Sequence, residues 1–92
     1  MSKFLIEVPH DPDVVACSRV VKSFLTSGSH FLAQADWGCE DGNHSAWMVV
    51  DVPNRDDARA IVPPALRAEA RIVSLNKFTV DQIDEILAGR RL

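Results

Sequence analysis

The spacing of apolar and polar residues predicts four strands and three helices. Residues 3–10, 30–37, 44–52 and 70–78 alternate in the manner of strands that bury one face. Residues 11–28, 54–62 and 79–87 repeat apolar positions at helical spacing instead. The predicted order is therefore βαββαβ followed by a C-terminal helix.

Capping residues mark the ends of the predicted helices. Asp11 is suited to cap the first helix, because Pro12 would then occupy the first helical position, where a missing N–H costs nothing. The remaining signals are Gly28 as the stop of the first helix, Asn54 and Pro63-Pro64 as the start and end of the second, and Thr79 with Gln82 as a capping box.

This element order is that of the ferredoxin-like plait, an α+β fold. Two helices cover one face of a four-stranded antiparallel sheet, and here a further helix follows. A chain of 92 residues makes a single domain, residues 1–92, with a modest core. Such a domain often gains stability by pairing with a second copy.

Strand alternation assigns residues to the two faces of the sheet. The predicted helix-facing set is Phe4, Ile6, Val8, Phe31, Ala33, Ala35, Trp37, Ala46, Met48, Val50, Val52, Val73 and Leu75. The predicted outer set is Leu5, Glu7, His30, Leu32, Gln34, Asp36, Ser45, Trp47, Val49, Asp51, Ile72, Ser74, Asn76 and Phe78. The last helix is expected to bury Val80, Ile83, Ile86 and Leu87. The outer face mixes apolar and polar groups, which is typical of a dimer interface or a pocket.

With this element order, the segments GSHFLAQADWGCEDGNHSAWMVV (28–50) and VPPALRAEARIVSLNKF (62–78) are similar to small bacterial members of the dimeric α/β-barrel group. That group belongs to the ferredoxin-like superfamily. It includes small monooxygenases, isomerase-like enzymes, stress-response proteins and nickel-binding members. The resemblance implies a dimeric α/β barrel built by a homodimer. It assigns no activity, because one fold hosts many chemistries, and no site residue is carried over from it.

The dipeptide Asp41-Gly42 predicts a two-residue hairpin turn between the second and third strands. In the resulting register Trp37 faces Ala46, and Cys39 faces His44 on the helix side of the sheet. His10 ends the neighbouring first strand and, by alternation, points to the same side. Three side chains that ligate Zn, Ni or Cu would then converge.

The candidate metal ligands are therefore His10, Cys39 and His44, with one coordination position left open. Under the alternative interpretation, His10 belongs to the start of the helix, while His44 and Cys39 are exposed polar residues at the hairpin tip. Cys17 lies on the apolar stripe of the first helix and is assigned to the core.

A second candidate site lies on the outer face. Glu7 and Asp36 are the carboxylates near its middle and would serve as general acid and base in an enzyme. A pocket around them would be lined by Gln34, Trp47, Ser74 and Asn76. The alternative is that these groups are satisfied by hydrogen bonds to the partner in a dimer.

Composition narrows the remaining function classes. Ten basic and thirteen acidic residues give a net charge of -3, and this argues against nucleic acid as a partner. With no signal peptide or membrane-spanning stretch, the expected location is cytoplasmic, and free thiols are favoured over a disulfide. Three hypotheses stand: a homodimeric accessory protein that binds a metal ion or small ligand, a small cofactor-independent monooxygenase- or isomerase-like enzyme, and a structural or regulatory dimer.

Overall fold

One face of a four-stranded antiparallel sheet is covered by helices in the computed structural model, which describes residues 1–89. The strands follow the order β2-β3-β1-β4. The elements are β1 (Ser2–Pro9), α1 (Val14–Thr26), α2 (His30–Ala33), β2 (Asp36–Trp37), β3 (Ser45–Val52), α3 (Arg55–Ile61), β4 (Arg71–Leu75) and α4 (Val80–Leu87). Two 3₁₀ segments, Cys39–Asp41 and Pro64–Glu69, complete the chain trace. The α+β class is confirmed, and the arrangement is consistent with a ferredoxin-like plait.

The core lies between the sheet and the helices. Phe4, Ile6 and Val8 alternate along β1, and each is buried. They pair with buried residues of β3, for example Ile6 with Met48. The helical side supplies Phe24, Leu32, Ala58 and Val62. The alternation predicted for β1 and β3 is therefore confirmed, and it fixes which end of the sheet carries His10.

The prediction of a strand over residues 30–37 is wrong for most of its length. Ser29 accepts a hydrogen bond from the Leu32 backbone N–H and caps the short helix α2. Leu32, expected on the outer face, is therefore buried in the core, and Ala33 is exposed. A short apolar run does not distinguish strand from helix, and the cap decided between them. Only Asp36–Trp37 pairs with β3.

The start of α1 also differs from the prediction. Asp13, rather than Asp11, is the N-cap, and its carboxylate accepts from the backbone N–H groups of Val15 and Ala16. Asp11 instead accepts a hydrogen bond from the Asp13 backbone N–H at 2.8 Å. The helix thus begins at Val14, and Cys17 falls in its first turn. Along the expected stripe Phe24 is buried, whereas Val14 and Leu25 are exposed.

Strand β4 presents the opposite alternation to the one predicted. Ile72 pairs with Ile6 and is buried, and Ser74 pairs with Phe4 on the same face. Val73 pairs with Leu5 on the outer face and is 43 % exposed. Leu75, opposite Lys3, also lies on that outer face. Residues 71–75 have apolar side chains at both odd and even positions, so the sequence fits either assignment of faces. Only the pairing with β1 decides which residues are buried.

The connection between β2 and β3 is longer than a two-residue turn. Such a turn needs positive φ at both central residues, but among residues 1–89 only glycines have positive φ. Gly42, at φ 80, therefore closes a 3₁₀ turn formed by Cys39–Asp41. The backbone N–H groups of Asp41 and Asn43 both donate to the Gly38 carbonyl at 3.0 Å. The predicted pairing of Trp37 with Ala46 is nevertheless confirmed.

Helix α4 begins as predicted, but its apolar stripe is not buried. Thr79 and Gln82 form the capping box. Val80 is 76 % exposed and Leu87 79 % exposed, so the prediction that they join the core is wrong. The radius of gyration is 16.5 Å, against roughly 12 Å for a compact chain of this length. The chain thus carries α4 away from its own core.

The second helix ends before the proline pair. Asn54 caps α3 through the Asp57 backbone N–H, as predicted. The helix stops at Ile61, and Pro64 starts a 3₁₀ segment. The Arg67 guanidinium donates to the Val62 carbonyl at 2.8 Å, which satisfies a backbone acceptor where the helix is interrupted. This segment returns the chain to β4.

Substituting Gly38 tests the packing of the β2–β3 connection. A Cβ atom there would lie 2.6 Å from the Asn43 carbonyl oxygen and 2.6 Å from the Trp47 ring. Gly38→Ala should therefore lower the free energy of unfolding by about 2–3 kcal/mol, measured by urea denaturation. Gly42→Ala is the control, since a Cβ there meets no atom within 4 Å and should cost only about 1 kcal/mol from its left-handed backbone. Equal losses in the two variants would contradict the packing argument.

Candidate metal centre

Two histidines are held side by side by an extension of the sheet. β1 and β3 pair as far as Pro9 and Ser45. Beyond that pair, the His10 backbone N–H donates to the His44 carbonyl at 3.0 Å. The two imidazole rings meet edge to face with their centroids 5.5 Å apart. The backbone hydrogen bond thus holds the two Cα positions together at the end of the ladder.

Helix α1 contributes Cys17 to the same place. Asp13 caps the helix, and the Cys17 backbone N–H makes the first intrahelical hydrogen bond, to the Asp13 carbonyl at 2.8 Å. The Cys17 side chain consequently projects from the first turn toward the end of β1. Its Sγ lies 3.2 Å from Nε2 of His10.

The 3₁₀ turn contributes the second thiol. Cys39 opens this turn directly after Gly38, and its Sγ lies 3.3 Å from Nε2 of His10. The Cys17 thiol also donates to Sγ of Cys39 at 3.4 Å. Two sulfurs and one imidazole nitrogen thus form a nearly equilateral triangle, with both thiols free and partly buried.

The dimensions of this cluster suit a single metal ion. One ligand atom from each of His10, Cys17, Cys39 and His44 lies within 4.8 Å of all the others. A tetrahedral zinc ion with ordinary Zn–S and Zn–N bonds has ligand–ligand distances of roughly 3.3–3.8 Å. The triangle has edges of 3.2–3.4 Å, so it would widen by a few tenths of an ångström, and His44 would approach by at most about 1.5 Å. Small side-chain movements would close the tetrahedron.

The surroundings of the cluster leave ring nitrogens without ordinary partners. The Nδ1 atoms of His10 and His44 are buried and have no protein hydrogen bond. Trp37 packs edge-on against the His10 ring at a centroid distance of 5.7 Å, and Phe24 packs behind Trp37. Buried nitrogens that lack a partner are costly, and a metal ion would offset that cost at Nδ1 of His44 if that atom ligated it. Nδ1 of His10 would stay as it is, because Nε2 of that ring faces the two sulfurs.

The pKa shifts of His10 and Cys17 favour the neutral forms of these two side chains in the absence of metal. Burial, and then the nearby His44, lower the pKa of His10, while the Val8 carbonyl and Asp11 act weakly in the opposite direction. The hydrogen bond to Cys39, followed by burial, raises the pKa of the Cys17 thiol. Neutral imidazole is ready to bind metal, whereas the thiols must lose protons as a metal binds.

A groove of about 630 Å³ opens beside the sulfur edge of the cluster. Cys17 and Cys39 both line it, and its walls are largely apolar, with Val21, Leu25 and Trp37 among them. The histidines are not among its lining residues. Small molecules can therefore approach the centre from the sulfur side.

The structure brings together the three predicted ligands and adds a fourth. The convergence of His10, Cys39 and His44 occurs although the hairpin turn differs from the one predicted. Assigning Cys17 to the core is wrong, because it faces the cluster and the groove rather than Phe24 and its neighbours. The available signal was its position one turn after Asp13, at the end of α1 that meets His10. Cys17 offers a fourth donor atom where an open coordination position is predicted.

The predicted outer-face pocket is not assembled as expected. Glu7, Asp36 and Trp47 do share a row across the sheet. However, Gln34 is the C-cap of α2, Ser74 lies on the Phe4 face, and Asn76 follows the end of β4. Arg71 forms an ion pair with Glu7 at 3.3 Å. Catalytic roles for Glu7 and Asp36 remain predictions.

Comparison with known proteins supplies no relative. No family model, curated protein or solved structure matches the chain. Within residues 1–89, no helix has both the length and the apolar character needed to cross a membrane. The geometry of the cluster is therefore the basis on which a function can be inferred.

The lowered pKa of His10 predicts how the metal-free protein responds to pH. Because the folded-state pKa lies below the unfolded value of about 6.5, protons bind preferentially to the unfolded chain. Stability should be full above about pH 6.5 and fall as the pH drops below it. Urea midpoints measured with chelator at about pH 7.5 and pH 5.5 check this.

His10→Gln should flatten that pH dependence. The matched control is His30→Gln, because His30 is exposed on α2 and is the one histidine outside the cluster. An unchanged pH slope in His10→Gln, or an equal change in His30→Gln, would rule out His10 as its source.

Proposed function

We propose that this chain is a metal-binding accessory domain that holds one Zn²⁺ ion through His10, Cys17, Cys39 and His44. The observation that carries the proposal is the convergence of these four donor atoms within 4.8 Å. They come from the end of β1, the first turn of α1, the 3₁₀ turn and the start of β3. Two stretches of the chain that are distant in sequence, residues 10–17 and 39–44, thus meet at one point.

The donor set favours zinc among the candidate metals. Two thiolates and two imidazoles in a tetrahedral arrangement are a frequent structural zinc set. Copper(I) also accepts thiolates, and nickel accepts imidazole, so these metals are the competitors. Carboxylates, which magnesium and calcium prefer, are not part of the cluster.

A complete set of four ligands favours a structural or carrier role over hydrolysis. Catalytic zinc ions keep one position for water or substrate, and here the protein supplies all four ligands. Binding would stabilise the folded state, since the four ligands converge only when β1, α1 and the β2–β3 connection are assembled. Access to the sulfur edge from the groove suits exchange of the metal with a thiol-bearing molecule.

Titration with metal tests this proposal. The chelator-treated protein should bind one equivalent of Zn²⁺, and Co²⁺ should give the visible absorption of a tetrahedral thiolate complex. Cys17→Ser, Cys39→Ser, His10→Gln and His44→Gln should each weaken zinc binding by at least about 100-fold, since even outer-shell changes cost 10–100-fold. Competition with a chromophoric chelator measures the affinity.

Ser18→Ala and His30→Gln provide matched controls. Ser18 is the exposed neighbour of Cys17, and neither residue belongs to the cluster. Both variants should keep the full affinity. Binding that is lost in these controls, or retained when Cys17 is replaced, would overturn the four-ligand assignment.

We propose further that the chain works as a homodimer, in the manner of a dimeric α/β barrel with ferredoxin-like subunits. We also propose a cytoplasmic location, where thiols stay reduced. The outer sheet face supports dimerisation. Leu5, Val49 and Val73 form an apolar row across three strands, and Val49 is 59 % exposed. The exposed stripe of α4 offers further apolar area. Covering both would remove apolar surface from water.

A charge in the middle of the outer face should disrupt that dimer. We expect sedimentation to show a dimer for the natural chain and a monomer for Val49→Asp. Val14→Asp is the control, because Val14 is also exposed but lies at the start of α1. A monomeric natural chain, or a Val49→Asp variant that stays dimeric, would contradict this interface.

A further inference from the structure

The two thiols of the cluster are close enough to react with each other. Sγ of Cys17 and Sγ of Cys39 are 3.4 Å apart, and a disulfide bond of about 2.05 Å needs an approach of little more than 1 Å. We propose that Cys17 and Cys39 form a reversible intramolecular disulfide, which is a second chemical state of this centre. The chain contains only these two cysteines, so they have no other partner within it.

The groove gives an oxidant a route to both sulfurs. Cys17 and Cys39 line it together, and the surface of its walls is largely apolar. A hydroperoxide is small enough to enter a space of about 630 Å³. The second thiol already lies in contact with the first, so it can capture an oxidised sulfur before further oxidation.

Hydrogen peroxide serves as the oxidant in a balanced pair of steps. One thiol loses its proton, and the thiolate attacks a peroxide oxygen: an S–O bond forms, the O–O bond breaks, and the leaving hydroxide takes up that proton as water. The other thiol attacks the resulting sulfenic sulfur: the S–S bond forms, the S–O bond breaks, and a second water leaves. Two thiols lose two electrons in total, and one peroxide becomes two waters.

Disulfide formation and metal binding exclude each other at this centre. Both use the same two sulfurs, and a metal ion needs them as thiolates. Oxidation would leave only His10 and His44 as ligands. This metal-release half of the inference rests on the proposed function, whereas formation of the disulfide does not.

Mass spectrometry of the metal-free protein tests the disulfide. One equivalent of hydrogen peroxide should lower the intact mass by about 2 Da, and a dithiol reductant should restore it. Trypsin without reductant should release residues 4–19 linked to residues 23–55, the two peptides that carry the cysteines.

Cys17→Ser and Cys39→Ser should each abolish the 2 Da loss, with circular dichroism to confirm folding. Sulfinic acid, seen as a gain of about 32 Da, or disulfides between chains as the main product would overturn the inference.

The zinc-loaded protein separates this inference from the proposed function. Peroxide should release zinc to a chromophoric chelator in step with disulfide formation. Disulfide without any zinc affinity would refute the proposed function and leave the thiol pair standing. Zinc binding without disulfide would refute the thiol pair alone. Zinc bound with undiminished affinity by the disulfide form would overturn mutual exclusion.

Discussion

The hydrogen bond from the His10 backbone N–H to the His44 carbonyl is the interaction on which the centre depends. It continues the β1–β3 ladder one step beyond the last strand pair, so two imidazoles lie at one end of the sheet. The buried alternation of β1 against β3 sets the register of that ladder. A slip of one residue would reverse the faces and separate the rings. Core packing and ligand placement are thus consequences of the same register.

The two thiols reach the histidines by different local devices. Cys17 depends on the Asp13 cap, which fixes where α1 begins and so which helical residue faces the end of β1. Cys39 depends on Gly38, whose lack of a side chain lets Trp47 and the Asn43 carbonyl close around the connection. Neither device belongs to the sheet ladder itself. Helix capping and a tight glycine contact therefore complete the donor set.

Sequence reasoning succeeded where local signals and pairing agreed. The alternation of β1 and β3, the Asn54 cap and the Thr79–Gln82 capping box all occur as predicted. It failed where a short apolar run was compatible with two structures: residues 30–33 form a helix, and β4 takes the opposite phase. The assignment of Cys17 to the core is wrong because periodicity shows which residues share a face of the helix. It does not show which residues of other elements that face meets. That information exists only once the helix start and the strand ends are fixed together.

The edge-to-face contact of Trp37 with His10 places a fluorescent side chain directly beside the cluster. The indole packs against the ring of a proposed metal ligand, and Phe24 packs against the indole from another side. The second tryptophan, Trp47, lies against Gly38 instead. Because the two rings are in contact, protonation of His10, or the proposed ligation of a metal by it, should alter the emission of Trp37. Tryptophan fluorescence would then report the state of this imidazole without an added label.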